Sequence, residues 1–121
     1  MKAVFDTNIL IDYLNGIEAA KEELERFSKP AISLITWMEV LIGAKTREEE
    51  QTLRHFLERF ETVELSDLVA EEAVRIRREH RLKLPDAIVW ATATAQDALL
   101  VTRNTKDFPN SEPSVRVPYQ L

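Results

Sequence analysis

The sequence predicts an α/β domain with a mostly parallel sheet lying between helix layers. Three observations carry that prediction. Short apolar runs alternate with longer amphipathic ones along most of the chain, the pattern of alternating strands and helices. The runs Ala3, Val4, Phe5 and Leu99, Leu100, Val101 are apolar at every position, as parallel strands buried on both faces are. Hydrophobic residues make up 45% of the 121, enough for a proper core and too many for a disordered chain, so one domain spanning residues 1–121 is expected.

The elements follow in order. Ala3 to Phe5 form a strand that ends at Asp6, and Thr7 or Asn8 caps a helix carrying Ile9, Leu10, Tyr13 and Leu14 at helical spacing. Gly16 ends that helix. Residues 17–28 place Ile17, Ala20, Leu24 and Phe27 on one face and charges on the other, a second surface helix that Lys29-Pro30 breaks. Ala31 to Leu34 read as a strand, after which Thr36 caps a helix with Trp37, Met38, Val40, Leu41 and Ala44 as its apolar content.

Residues 46–60 are charged at first and then show Leu53, Phe56, Leu57 and Phe60, an amphipathic helix. Thr62 to Leu65 alternate as a short strand does. Ser66 caps the next helix, whose apolar face is Leu68, Val69, Ala73 and Ile76 and whose far end is basic, complementing the helix dipole. Pro85 opens a largely buried helix through Ala87, Ile88, Val89, Trp90, Ala91, Ala93 and Ala95. A buried strand at Leu99 to Thr102 leads into a turn-rich loop at 103–109. Val115 to Val117 form a last edge strand confined by Pro113 and Pro118.

Composition narrows the function classes. The chain has no cysteine, which excludes a disulfide framework and a zinc–thiolate site and fits a reducing, cytoplasmic setting. No apolar run is long enough for a membrane span. The formal charge of −5 has the wrong sign for gripping nucleic acid by bulk electrostatics. A nucleic-acid role requires a metal or a local basic patch. A basic protein partner suits the same sign.

Four acids stand in unusual places: Asp6 after a buried strand, Glu39 inside an apolar helix, Asp86 at the start of a buried helix, and Asp107 in the loop after a buried strand. Acids are rarely buried without a partner. Few bases lie near these segments, Arg103 and Lys106 being the exceptions. Singly, each acid is also explained as a helix cap or turn former. Together, oxygen ligands with no cysteine favour a hard cation, Mg²⁺ or Mn²⁺, which can activate water and neutralise charge on a phosphodiester. Asp12 is expected on the exposed face of the first helix, and His55 and His80 on charged, exposed helices. Trp37 and Trp90 read as core or interface anchors. The basic run from Arg75 to Lys83 is either a solvated helix end or a hold for an RNA backbone.

The chain resembles the PIN domain family, and in size and layout the VapC-type toxins of toxin–antitoxin pairs. The resemblance rests on Asp6-Thr7-Asn8 with Leu14, Glu39 with Gly43, Leu84-Pro85-Asp86-Ala87 with Ala91-Thr92-Ala93, and the run from Val101 to Phe108, which cover nearly the whole chain in the family's order. Each is weak alone; the ordered set is specific. The resemblance implies a three-layer α/β/α sandwich and a Mg²⁺- or Mn²⁺-dependent ribonuclease. Its catalytic acids map onto Asp6, Glu39, Asp86 and Asp107, with Asp6, Asp86 and Asp107 as metal ligands. Asn8, Thr102 and Asn104 are then orienting residues, Thr102 through its hydroxyl and Asn8 through a bond to a neighbouring acid. Asn104 departs from the pattern, since many relatives carry aspartate there; a neutral amide oxygen ligates weakly, which counts against a second metal. The resemblance also implies an RNA substrate, a homodimer and a small antitoxin partner. Ile9, Tyr13, Leu14, Ile17 and Trp37 are the apolar surface expected to receive the antitoxin, and core packing competes for the same side chains.

A housekeeping RNA-processing nuclease of the same fold fits these residues equally. Two readings from other classes fit less well. A phosphoacceptor receiver module is also α/β and binds Mg²⁺, but it would show an acid pair after the first strand and a late Lys-Pro, whereas Asp6 has no adjacent acid and Lys29-Pro30 comes early. A non-catalytic binding domain has no need of all four acids.

Overall fold

The computed structural model describes residues 2–109 and 111–121. Five strands, β1 (Ala3–Phe5), β2 (Pro30–Ser33), β3 (Glu61–Val63), β4 (Leu99–Val101) and β5 (Val115–Arg116), form one sheet. Six helices connect them: α1 (Thr7–Leu14), α2 (Glu18–Glu25), α3 (Leu34–Ile42), α4 (Arg47–Leu57), α5 (Asp67–His80) and α6 (Leu84–Ala95). The strand order is β3-β2-β1-β4-β5, and every pairing is parallel.

Alternation along each strand divides the core into two layers. Val4, Ala31, Leu100 and Val115 face α5 and α6, where Val69, Ala73, Ile76, Val89 and Trp90 pack on them. Ala3, Phe5, Ile32 and Val101 face the other way, onto Ile9 and Leu10 of α1, Ala20 and Leu24 of α2, and Phe56 and Leu57 of α4. This is the expected α/β/α sandwich. Phe5 is wholly buried and meets Phe27 edge-on at 5.6 Å between ring centroids. Burying such a side chain contributes roughly 1.5–3 kcal/mol.

Three local expectations need correction. Asp6 itself, rather than Thr7 or Asn8, is the N-cap of α1 and accepts from the Thr7 N–H. Ser33, rather than Thr36, caps α3, because the backbone turns helical three residues earlier; Thr36 lies inside the helix, fully buried. Asp12 is buried, not exposed. Other caps match: Ser66 accepts from the Val69 N–H at the start of α5, and Pro85 occupies the first turn of α6. Gly16 takes a φ of +83°, the left-handed conformation that glycine adopts without strain, and so turns the chain from α1 toward α2.

The strand order places the site. From β1 the chain first builds outward through β2 and β3, then returns to add β4 and β5 on the other side. The order therefore reverses between β1 and β4, and ligands in open parallel sheets bind outside the carboxyl ends of the strands at such a point. Asp6 follows β1 there, and Thr102 follows β4, with the Asp6 N–H donating to the Val101 carbonyl at 2.9 Å.

Candidate active site

Asp6 lies at this switch point in the strand order as the N-cap of α1 and is only 5% exposed. Its Oδ1 accepts from the Thr7 N–H at 2.8 Å. Its Oδ2 accepts from the Thr102 hydroxyl at 2.9 Å and from Asn8 Nδ2 at 3.2 Å. None of these donors is a cation. Burial pushes the Asp6 carboxyl up to about 6, against the pull of the bonds from Thr102 and Thr7, and the charges of Asp86 and Glu39 push it the same way.

Glu39 approaches the start of α1 from an exposed position on α3. The Thr7 hydroxyl donates to its Oε1 at 2.6 Å and lies 3.0 Å from the Thr36 hydroxyl. Thr7 thus joins the first turn of α1 to α3. In the sequence Thr7 stands only as a cap candidate and as the neighbour of Asp6 in the family motif; its contact with α3 is a tertiary one.

Asp86 is half-buried in the first turn of α6. Burial, then the charges of Asp107 and Glu39, raise its carboxyl above the ordinary range, with Lys83 opposing them. Asp107 is held by Asn104, whose Nδ2 donates to Asp107 Oδ2 at 3.0 Å and whose Oδ1 accepts from the Asp107 N–H at 3.1 Å. Asn104 therefore fixes Asp107 with both ends of its amide. Phe108 anchors the same loop in the core, edge-on to Trp90 with centroids 6.0 Å apart.

Asn8 and Thr102 act on Asp6 and on each other. Asn8 Nδ2 is 3.2 Å from the Thr102 hydroxyl oxygen, which also accepts from the Asn104 N–H at 3.0 Å. The four acids are thus coupled through space, each within electrostatic reach of at least one other. Among the described residues no three acidic or histidine side chains converge tightly enough to enclose an ion as they stand. The donor set is nevertheless all oxygen and uncompensated by any ion-paired base, which suits a hard divalent cation in kind.

Lys83 only partly offsets Asp86, and the nearest arginine is engaged elsewhere. Arg103 turns away to Asp12, with Nε 2.7 Å from Oδ2 and Nη2 3.0 Å from Oδ1, and the Tyr119 hydroxyl donates to the same Oδ2 at 2.8 Å. Burial alone would raise Asp12, but these bonds and the Arg103 charge hold it below the usual carboxylate range. His55 and His80 are exposed as expected, and Trp90 is buried. Ile9, expected on a partner-binding surface, is wholly buried in the core instead; Leu14, Met38 and Ile42 are the exposed apolar side chains of α1 and α3 together with Ile11.

Comparison with known proteins identifies the fold and its family. The PIN domain family model matches residues 3–110. Ribonuclease VapC10 of Mycobacterium tuberculosis is 34% identical over 115 residues, covering 88% of this chain and 86% of the relative. Ribonuclease VapC1 of Methanocaldococcus jannaschii is 32% identical over 112 residues, covering 88% and 79%. A chain of a toxin–antitoxin complex from Klebsiella pneumoniae superposes with a TM-score of 0.92 at 50% identity, over 98% of this chain and 99% of that one. With a family model that matches most of its length, these relatives and an order-reversing parallel sheet, the chain belongs to the PIN domain family.

Proposed function

We propose that this protein is a metal-dependent endoribonuclease, the toxin of a type II toxin–antitoxin pair in the cytoplasm. The observation that carries the reading is the uncompensated carboxylate cleft around Asp6, in a chain whose relatives are named VapC ribonucleases. Asp6, Asp86 and Asp107 would hold Mg²⁺ or Mn²⁺. When bound, the ion supplies an activated water and offsets charge building on the phosphodiester. The protein's own groups do the rest. Asn8 and Thr102 fix the orientation of Asp6 Oδ2. Thr7 holds Glu39 by one oxygen, leaving the other to take a proton from the attacking water. Asn104 sets Asp107 on the side of Asp86. Lys83, beside Asp86, with Arg77, Arg78 and Arg81, offers a basic rim for an RNA backbone. Arg75 is not part of that rim, since it is paired with Glu72 and Glu79.

The antitoxin reading is supported by the Klebsiella complex and by surface chemistry. A groove of about 470 Å³ is lined by the apolar Leu14, Ala44 and Leu53 and by the charged Lys45, Glu48 and Glu49, and Met38 and Ile42 are exposed on α3. An apolar helix with basic flanks would fit it and the protein's net charge of −5. The exposed Leu68 and Val74 on α5 are suited to a homodimer contact.

The test is incubation of the pure protein with structured RNAs, with Mg²⁺ or Mn²⁺ and with chelator. Cleavage should require the metal and disappear in Asp6→Asn, Glu39→Gln and Asp86→Asn, while Asp107→Asn loses less. Cleavage that survives chelator rejects the metal; full activity in any two of the first three variants rejects the site. Harmless expression of the active enzyme without a partner rejects the toxin role.

A further inference from the structure

We infer that Arg103 is a positioning residue, clamped by Asp12 and braced by Tyr119, that sets the Asp107 loop against α1 and so determines how tightly the acids hold their cation. This rests on the ribonuclease reading above. Arg103 lies between Thr102, which bonds Asp6, and Asn104, which bonds Asp107. It grips α1 at two points. Its backbone N–H donates to Asn8 Oδ1 at 3.2 Å, and its guanidinium spans both oxygens of Asp12. Asn8 and Asp12 are four residues apart on α1 and so share a face. Two attachments one helical turn apart fix the loop's rotation as well as its place.

The clamp is built for rigidity. Asp12 is only 4% exposed, and Tyr119 is bonded to its Oδ2 from far along the chain. From Arg103 a continuous set of hydrogen bonds runs to every loop group in the cleft: Asn8 to Asp6, Thr102 to Asp6, the Asn104 N–H to Thr102, and Asn104 to Asp107. A lysine keeps the charge of Arg103 but cannot bridge two oxygens in a planar fork. The loop would then keep its neighbour and lose its fixed angle.

The protein supplies its own control. Arg116 clamps the buried Glu23 with the same fork, at 2.6 and 3.0 Å, between β5 and α2. Among the described residues its guanidinium bonds none of the four acids, and its backbone carbonyl, which accepts from the Thr102 N–H at 3.0 Å, is kept in a side-chain substitution. Arg116→Lys therefore reports what losing such a clamp does to stability alone.

The experiment compares the full-length wild type with Arg103→Lys, Tyr119→Phe and Arg116→Lys. It measures Mn²⁺ affinity by calorimetry, kcat and KM on RNA, and melting temperature. Arg103→Lys should weaken Mn²⁺ binding and lower kcat by about tenfold or more, as loss of a group that orients metal ligands does, with KM nearly unchanged. Tyr119→Phe should show the same pattern at about fivefold, the size of one hydrogen bond. Arg116→Lys should lower the melting temperature and leave Mn²⁺ affinity and kcat at the wild-type level. If Arg103→Lys does not fold, Tyr119→Phe carries the comparison. The inference is overturned if Mn²⁺ affinity and kcat in the Arg103 and Tyr119 variants match the wild type, or fall no further than in Arg116→Lys. A wild type that binds Mn²⁺ and cleaves no RNA would reject the ribonuclease reading instead, and the Mn²⁺ affinities alone would then decide the clamp.

Discussion

Asp6 and Asp12 are both buried aspartates near one end of the sheet, and their surroundings drive them in opposite directions. Asp12 receives a guanidinium and stays charged. Asp6 receives only neutral donors and is raised from 3.8 to about 6. A carboxyl that holds its proton more tightly in the fold than in the unfolded chain stabilises the fold best when protonated. The contribution of Asp6 is therefore greatest below pH 4 and is lost as pH rises to about 6, a change of at most about 3 kcal/mol. Carbon-detected NMR of the metal-free protein should show the Asp6 carboxyl titrating near 6, and lower in Asp86→Asn, where one repelling charge is gone. A midpoint near 4 in the wild type would mean that water, not protein, surrounds Asp6. The place of Asp6 was legible in the sequence because an apolar run stops there. The fate of Asp12 was not, since its partners Arg103 and Tyr119 are 91 and 107 positions away, and nothing local marks such a pairing.

The elements were legible where their hydrophobic period was long, and their ends were not. The segment Ser33-Leu34-Ile35-Thr36 offers two hydroxyl caps, and its apolar pair suits strand or helix equally, so only the packing of α3 decides for Ser33. The end of α5 was marked only by its basic last turn, with no glycine to fix the terminal residue. Arg81 takes a φ of +56° there, a left-handed conformation in which most helices place glycine. An L side chain in that conformation costs about 1 kcal/mol relative to glycine. Arg81→Gly should therefore raise the melting temperature by about 4 °C for a chain of this size, measured by circular dichroism. It also removes one charge from the basic rim. An RNA-binding role for the rim then requires that KM rise while stability improves, and an unchanged KM would assign Arg81 to the helix end alone.

In the whole molecule, the fold brings acids from four separate segments within electrostatic reach of one another, and it must bear their repulsion. Asp86 tests that load best. Among the described residues nothing donates a hydrogen bond to it, so an amide in its place loses no partner. Two effects of Asp86→Asn then compete. Removing the charge ends the repulsion with Asp107 and Glu39, which stabilises the metal-free protein. It also removes an anion from the first turn of α6, which costs about 0.3–1 kcal/mol. The raised carboxyls of Asp6 and Asp86 place the sign: their repulsion is absent in acid, where both are protonated, and grows as pH rises through their folded values. A bound divalent cation offsets it and stabilises only the fold, by about 2.7 kcal/mol at a hundredfold excess over its dissociation constant. A melting series at about pH 5 and pH 7.5, in chelator and in Mn²⁺, separates the two effects, since the two values bracket the Asp6 carboxyl at about 6 and the Asp86 carboxyl is raised in the same direction. In chelator at the higher pH, Asp86→Asn should melt above the wild type, and the difference should shrink at the lower pH. Added Mn²⁺ should raise the wild type and move the variant less. If the variant melts below the wild type in chelator at the higher pH, Asp86 serves mainly the helix terminus, and carboxylate crowding is not what the metal relieves.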